Sequence, residues 1–260
     1  MGMGDNAFTQ EEKSRITRYD DNRKKKYAVL SVGIMIISII LLSLLLFLST
    51  TLYYGLSQST HNNIITRLGI EIVSEYARDQ TDPYVINSHI LEYFRSDDDL
   101  IRVNYLEEDE KIHLSYVKNA IVNMKRANAL LLLGSIIAII LYYIISRLAG
   151  NSTKESSLGI ARIIQYSSIT VIVAWALVFL LLVPADTQRF VDSSRIIPET
   201  LMQDQEWNLH DGNLLEKVYP KEFFHSLGLS IIRLSMLTMT IIFIISTLVL
   251  LFIQDKKSKT

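Results

Sequence analysis

The chain reads as an all-α membrane protein: four transmembrane helices with an extracytoplasmic helical cap built from its two outer loops. The spacing of its charges is the first reason. In 260 residues of formal charge -1, four segments hold no Asp, Glu, Lys or Arg: Tyr27 to Asn63, with its apolar part ending near Tyr54, Ala127 to Ser146, Ile163 to Ala185, and Leu234 to Gln254. A bilayer core about 30 Å thick is crossed by roughly 20 apolar residues, so all four are long enough to span. The second reason is the sign of the charge between them. The segment to Lys26, the loop Arg147 to Arg162 and the tail Asp255 to Thr260 are each net +2, whereas Gly55 to Arg126 is -4 and Asp186 to Arg233 is -3. Basic residues in short flanking loops mark the inner side, so both termini and the central loop are expected in the cytoplasm and the two large loops outside. The third reason is helical periodicity within those outer loops.

Taken in order, the division is a basic cytoplasmic tail (1–26), a first span (27–54), outer loop 1 (55–126), a second span (127–147), a cytoplasmic loop (148–162), a third span (163–185), outer loop 2 (186–230), a fourth span (231–254) and a short cytoplasmic tail (255–260). The first span far exceeds the core of a secretory signal, so it reads as an anchor in a multi-pass plasma-membrane protein. Met1 to Asn22 is polar without apolar periodicity and reads as disordered; Arg23-Lys24-Lys25-Lys26 is an orientation signal beside the first span.

In outer loop 1, Ile64, Ile65, Leu68, Ile72 and Tyr76 form one helical stripe. Asp82 followed by Pro83 is an N-cap with proline at the first helical position, opening a second stripe of Ile86, Ile90, Tyr93 and Phe94. Asp97-Asp98-Asp99 marks a turn, and Leu100 to Leu106 is a strand or a connector. Glu107 to Met124 then crowds acids into a helix's first turn, places His113, Val117, Ile121 and Met124 on one face, and runs without a break into the second span. Gly134 and Ala138 permit close helix contact there. The third span carries Gln165, Ser167, Ser168 and Thr170 near its inner end and Trp175 at mid-depth. In outer loop 2, Trp207 and the Phe223-Phe224 pair read as interfacial anchors, and the fourth helix is expected to begin before the membrane. Arg233 and Lys125-Arg126 are cations at the outer mouths of the fourth and second spans. They either snorkel to the headgroups or form a rim for an anionic lipid or an ester carbonyl.

The absence of cysteine removes disulfides, thiolate nucleophiles, thiolate metal ligands and lipidation of the chain's own cysteine. No apolar run carries an ionisable residue in its interior, which argues against an ion-coupled transporter. Neither a G-x-S-x-G elbow nor a Walker loop occurs. The five histidines, His61, His89, His113, His210 and His225, all fall in or beside the outer loops, and no pair has the i,i+4 spacing of a helical metal site. No metal, cofactor or nucleic acid is therefore expected. His113 is the best single candidate for chemistry. It stands just outside the second span, three residues after Glu110 and three before Tyr116, and a histidine is neutral enough at ambient pH to accept a proton.

Glu110-Lys-Ile-His113-Leu-Ser-Tyr-Val117-Lys118, preceded by Ile90-Leu91-Glu92-Tyr93-Phe94, resembles a signature of the bacterial lipoprotein intramolecular transacylases, a family of integral membrane proteins. In that signature an acid precedes a histidine by three, and the histidine is followed by Met or Leu, any residue, Asp, Val and Lys. Phe190, Trp207, Leu214-Leu215, Tyr219-Pro220 and Phe223-Phe224 look like the family's second outer loop. The resemblance covers most of the chain from Tyr27 to Ile253. It departs at two places: Tyr116 stands where the family has Asp, and Ile197-Pro198 where it carries a Phe-His pair, which leaves His210 and His225 as the loop's own histidines.

What the resemblance implies is acyl transfer within one lipoprotein molecule, from the lipid moiety to the N-terminal amine. Membrane lipids or a lipidated protein substrate would be the partner. His113 would be the proton acceptor and Glu110 its orienting partner, with Arg233, Tyr116 and Trp207 contacting substrate. The alternative is a non-catalytic lipid- or partner-binding membrane protein of the same fold.

Overall fold

The computed structural model describes residues 10–70, 82–182 and 213–255, and all regular structure among them is helical. The helices are α1 (Gln10–Gly55), α2 (Gln58–Leu68), α3 (Pro83–Tyr93), α4 (Glu108–Leu148), α5 (Thr153–Leu182), α6 (Leu214–Val218) and α7 (Lys221–Asp255). Helices α1, α4, α5 and α7 are long and apolar enough to cross a membrane. Large apolar side chains such as Leu44, Leu133, Leu177 and Leu248 stand more than half exposed along them. In water such a surface would drive association; in a bilayer it faces acyl chains. The protein is a multi-pass membrane protein.

Expectations change at the start of α1 and at the end of α2. Residues 10–22, read as disordered, are the first turns of α1. Extending an already nucleated helix fixes one residue per hydrogen bond, and Glu11 and Arg15 have the i,i+4 spacing that supports such an extension. The α2 stripe stops at Leu68, where Gly69 takes φ 59 and its N–H bonds the carbonyls of Ile65 and Thr66. That left-handed cap needs glycine, and it ends the helix before Ile72 and Tyr76, which lie outside the described residues.

The chain divides into two compact units. One comprises Leu131–Ile169 with the chain up to Leu45 and from Ile241 onward. Small residues make its contacts. A Cβ on Gly134 would meet Leu41 at an ordinary contact distance, whereas a Cβ on Gly159 would run into the ring and hydroxyl of Tyr142. Ser38, Ser167 and Ser168 are fully buried and donate to carbonyls one turn back, which satisfies their hydroxyls inside the helix. Gln165 donates to Thr247 across α5 and α7 at 2.9 Å.

The other unit comprises Leu46–Leu130 and Thr170–Thr240. Among its described residues, Phe47 stacks on Trp175 at 4.3 Å, and Tyr54 and Thr238 share a 2.6 Å hydrogen bond. It also holds α2, α3 and α6 and the starts of α4 and α7, wrapped on two apolar clusters. The larger unites Ile86, Ile90, Leu91, Tyr93 and Phe94 with Ile101, Leu106, Leu114, Leu215 and Val218. Residues 100–106 are a connector that lends Ile101 and Leu106 to this core, not a strand. The smaller unites Ile64, Ile65 and Phe223. Phe223, expected as an interfacial anchor, is 1 % exposed and is core; its neighbour Phe224 remains 47 % exposed.

Candidate functional site

The start of α4 is built around one carboxylate. Glu107 precedes the helix, and Glu108, Asp109 and Glu110 fill its first turn, where exposed N–H groups favour negative charge. Glu110 turns inward and is fully buried. Its Oε2 accepts the N–H of Glu107 at 2.9 Å, the reach-back of a capping box, and its Oε1 accepts the N–H of Leu215 at 2.9 Å. Leu215 belongs to α6, so the carboxylate joins two segments far apart in sequence and answers two backbone donors at once. Glu110 therefore fixes where α4 begins.

His113 follows one turn later, half-buried, well before the apolar part of α4 opens at Ala127. Beside it Leu114 is 4 % exposed within the larger core, and Val117 and Ile121 pack against the same cluster. Burial pushes the His113 imidazole below its ordinary value of 6.5, toward the neutral form. Farther along, Lys118 is 7 % exposed, donates to the Asp98 carbonyl at 2.6 Å and to Ser96 Oγ at 3.3 Å, and lies 4.3 Å over the ring of Tyr93. Lys125 donates to the carbonyl of Phe94 at 3.1 Å. The lysine read as an outer-mouth cation thus ties α4 to the end of α3, and the turn at 97–99 is held by Lys118.

Of the other expected substrate contacts, Tyr116 is half-buried on α4 and Arg233 is exposed on α7. Arg233 makes no hydrogen bond or ion pair among the described residues, so no contact joins it to Glu110. His225 is half-buried near the start of α7. Trp207, His210 and Pro198 lie outside the described residues. Among the described residues no three His, Asp or Glu side chains converge as a metal site requires.

Sequence reasoning passed over a second polar centre. His61 is 6 % exposed, with Nδ1 2.9 Å from Asn87 Oδ1 and Nε2 2.8 Å from the Gly55 carbonyl. Tyr219 donates its hydroxyl to Asn87 Oδ1 at 2.9 Å, and Asn87 Nδ2 donates to Asn62 at 3.1 Å. The rings of Tyr219 and Phe223 meet the imidazole edge to face. Burial lowers the His61 pKa from 6.5, and its hydrogen bonds to Gly55 and Asn87 oppose that shift only in part. Burial likewise pushes the Tyr219 phenol up, with Tyr105 adding to the shift, and pushes Tyr105 itself up to about 12. The signal for this centre was available: His61 shares the apolar face of α2 with Ile64, Ile65 and Leu68, and Asn87 shares that of α3 with Ile90, Leu91 and Phe94. A polar residue on an apolar stripe demands a partner.

The described helices match solved structures of the membrane integral lipoprotein intramolecular transacylase Lit from Bacillus cereus. The fold is Lit-like. One structure superposes with a TM-score of 0.63 at 15% sequence identity, covering 90% of this chain and 100% of that one. Two variants of the same protein, with a histidine replaced by alanine or by arginine, match with the same TM-score and identity, covering 90% and 89% of this chain. No family model and no curated protein sequence matches the chain. The agreement is thus one of helix order and packing.

Proposed function

We propose that the protein is a membrane acyltransferase of the lipoprotein intramolecular transacylase kind, moving an acyl chain from the lipid moiety of a lipoprotein to its N-terminal amine. The observation that carries this reading is the Lit-like fold together with a half-buried histidine, held toward its neutral form, on the first turns of α4. The amine nitrogen attacks the ester carbonyl carbon and gives its proton to His113. As the new C–N bond forms, the ester C–O bond breaks and the leaving glycerol oxygen takes that proton from the imidazolium. One imidazole serves both transfers, and the reaction is balanced without a cofactor. Glu110 acts by anchoring the turn that presents His113, and Tyr116, Trp207 and Arg233 are assigned to the substrate, with Arg233 at the carbonyl or headgroup. The basic loops support placement in the plasma membrane with both termini cytoplasmic, so that the lipoprotein would be met on the outer side.

The test is mass spectrometry of N-terminal lipopeptides from a host that makes diacyl lipoproteins, with and without the protein and with His113→Ala. The protein should shift the acyl chain onto the amine and the variant should not; lipopeptides that are the same in all three would reject the reading.

Two observations favour a second reading, a lipid- or partner-binding protein without catalysis. Both oxygens of Glu110 are taken up by backbone N–H groups, and Tyr116 and Pro198 stand where the family has Asp and His. Under that reading the outer loops of delipidated protein lose protease resistance and regain it with lipid, while lipopeptides stay unchanged.

A further inference from the structure

The first turns of α5, which belong to the basic loop, and the last turn of α7 line one cleft. Gln165 and Thr247 pin the two helices together at 2.9 Å. Two turns nearer the ends lies the cleft, of about 330 Å³ and lined by Lys154, Glu155, Leu158, Arg162 and Gln254. Lys154, Leu158 and Arg162 recur every four residues, so they share one face of α5, with a half-buried leucine between two cations. Gln254, on the last turn of α7, closes the cleft opposite them.

The cleft is lined by two cations and one carboxylate. Neither Lys154 nor Arg162 makes a hydrogen bond or ion pair among the described residues. The one acid, Glu155, directs Oε2 to the N–H of Ser152 at 2.7 Å, while Ser152 Oγ accepts the N–H of Glu155 at 3.2 Å. That reciprocal cap places one oxygen of the carboxylate at the start of α5, whose exposed N–H groups favour negative charge. An ammonium and a guanidinium two turns apart, over an apolar floor at the boundary between a charge-free span and a basic loop, match a phosphodiester whose glycerol and acyl chains lie along the helices.

We infer that this cleft binds the phosphate of an anionic glycerophospholipid from the leaflet facing the basic loops, held by Lys154 and Arg162 with Gln254 as a neutral hydrogen-bonding wall. The site is separate from the α4 histidine and does not depend on its chemistry. Its probes are phosphatidylglycerol, phosphatidylcholine of the same chain length, and inorganic phosphate, each added to the full-length protein in neutral detergent and read by native mass spectrometry. Two cations near a phosphate contribute about fivefold each, so phosphatidylglycerol should be retained about thirtyfold better than phosphatidylcholine.

Lys154→Gln with Arg162→Gln should abolish the preference, while Lys25→Gln with Lys26→Gln, which removes the same charge from α1, should keep it. Thermal midpoints in phosphatidylcholine should agree for all three proteins, since none of the four side chains is buried. Equal retention of both lipids, or an equal loss in the α1 variant, would overturn the site as a general leaflet attraction. Displacement of the lipid by millimolar inorganic phosphate would overturn it as a small-anion site.

Discussion

The fully buried Glu110 carboxylate accepts the N–H of Leu215 at 2.9 Å, fastening the start of α4 to α6 across 105 positions of sequence. The same carboxylate caps α4 through the N–H of Glu107. Replacing Glu110 by alanine strands two donors, and an unanswered buried N–H costs about 1 to 3 kcal/mol. Glu110→Ala should therefore destabilise the protein by about 3 kcal/mol, and Glu110→Gln, which keeps one acceptor oxygen, by about half of that. Thermal unfolding in detergent measures both. A glutamate that served only the chemistry would leave the midpoint unchanged in either variant.

Asn87 holds three partners at once: His61, Tyr219 and Asn62. Asn87→Leu removes an amide of similar volume and leaves the buried His61 and the half-buried Asn62 and Tyr219 to find other partners, which should cost about 3 kcal/mol. The damage should be local. Protease cleavage in residues 58–93 should rise several-fold before the long helices unfold, and limited proteolysis with mass mapping locates it.

The buried His61 and the half-buried His113 are both held toward neutrality, so they give stability a direction with pH. For His61 and His113 the unfolded chain titrates near the ordinary 6.5 and the folded protein lower, so the unfolded state binds more protons between those values. Their contribution is complete above 6.5 and is lost as the pH falls toward the folded values. Thermal midpoints should fall as the pH is lowered from about 7.5 to about 5, and His61→Gln should flatten that slope. A slope unaltered by His61→Gln would mean that other groups set it.

Much of this architecture is carried by local sequence, and what escaped reading depends on distant partners. Asp82 and Pro83 start α3 as their types require, with the Asp82 carboxylate accepting the N–H of Tyr84, and α4 runs unbroken from its acidic first turn into the apolar span. Each follows from neighbours within a few positions. Glu110 reads locally as an acid of the first helical turn, three residues before His113; only the fold brings the N–H of Leu215 to one of its oxygens. Phe223 reads as an anchor because an aromatic near a span usually is one, and it is core because Ile64 and Ile65 arrive from α2 to cover it. His61 was visible on an apolar stripe, yet its partner Asn87 lies on a different helix, and no spacing within α2 points to it.

Gly159 shows how tightly two long helices meet. A side chain there would collide with Tyr142, itself 7 % exposed, so the ring has little room to retreat. Gly159→Ala should destabilise by about 2 kcal/mol, as overpacking does, although alanine is the better helix former. Pairing it with Tyr142→Phe relieves the hydroxyl part of the clash. The double variant should recover part of the lost midpoint, whereas independent effects would add.

The proposed chemistry makes its own demand on pH. His113 must be neutral to accept the amine proton, and because burial lowers its pKa, the acid limb of the rate should lie below 6.5. The amine, ordinarily near 7.7 to 8.0, sets a second limb above it, since only its unprotonated form attacks. Rates of acyl transfer on a diacyl lipopeptide in reconstituted protein should therefore rise with pH through both limbs and level above the second. Loss of a general base costs roughly 10² to 10⁴-fold, so His113→Ala should fall by that factor and lose the lower limb while keeping the upper one. His225→Ala serves as the comparison. If it removes the lower limb and His113→Ala does not, the proton acceptor is on α7, and the role assigned to the start of α4 is one of packing alone.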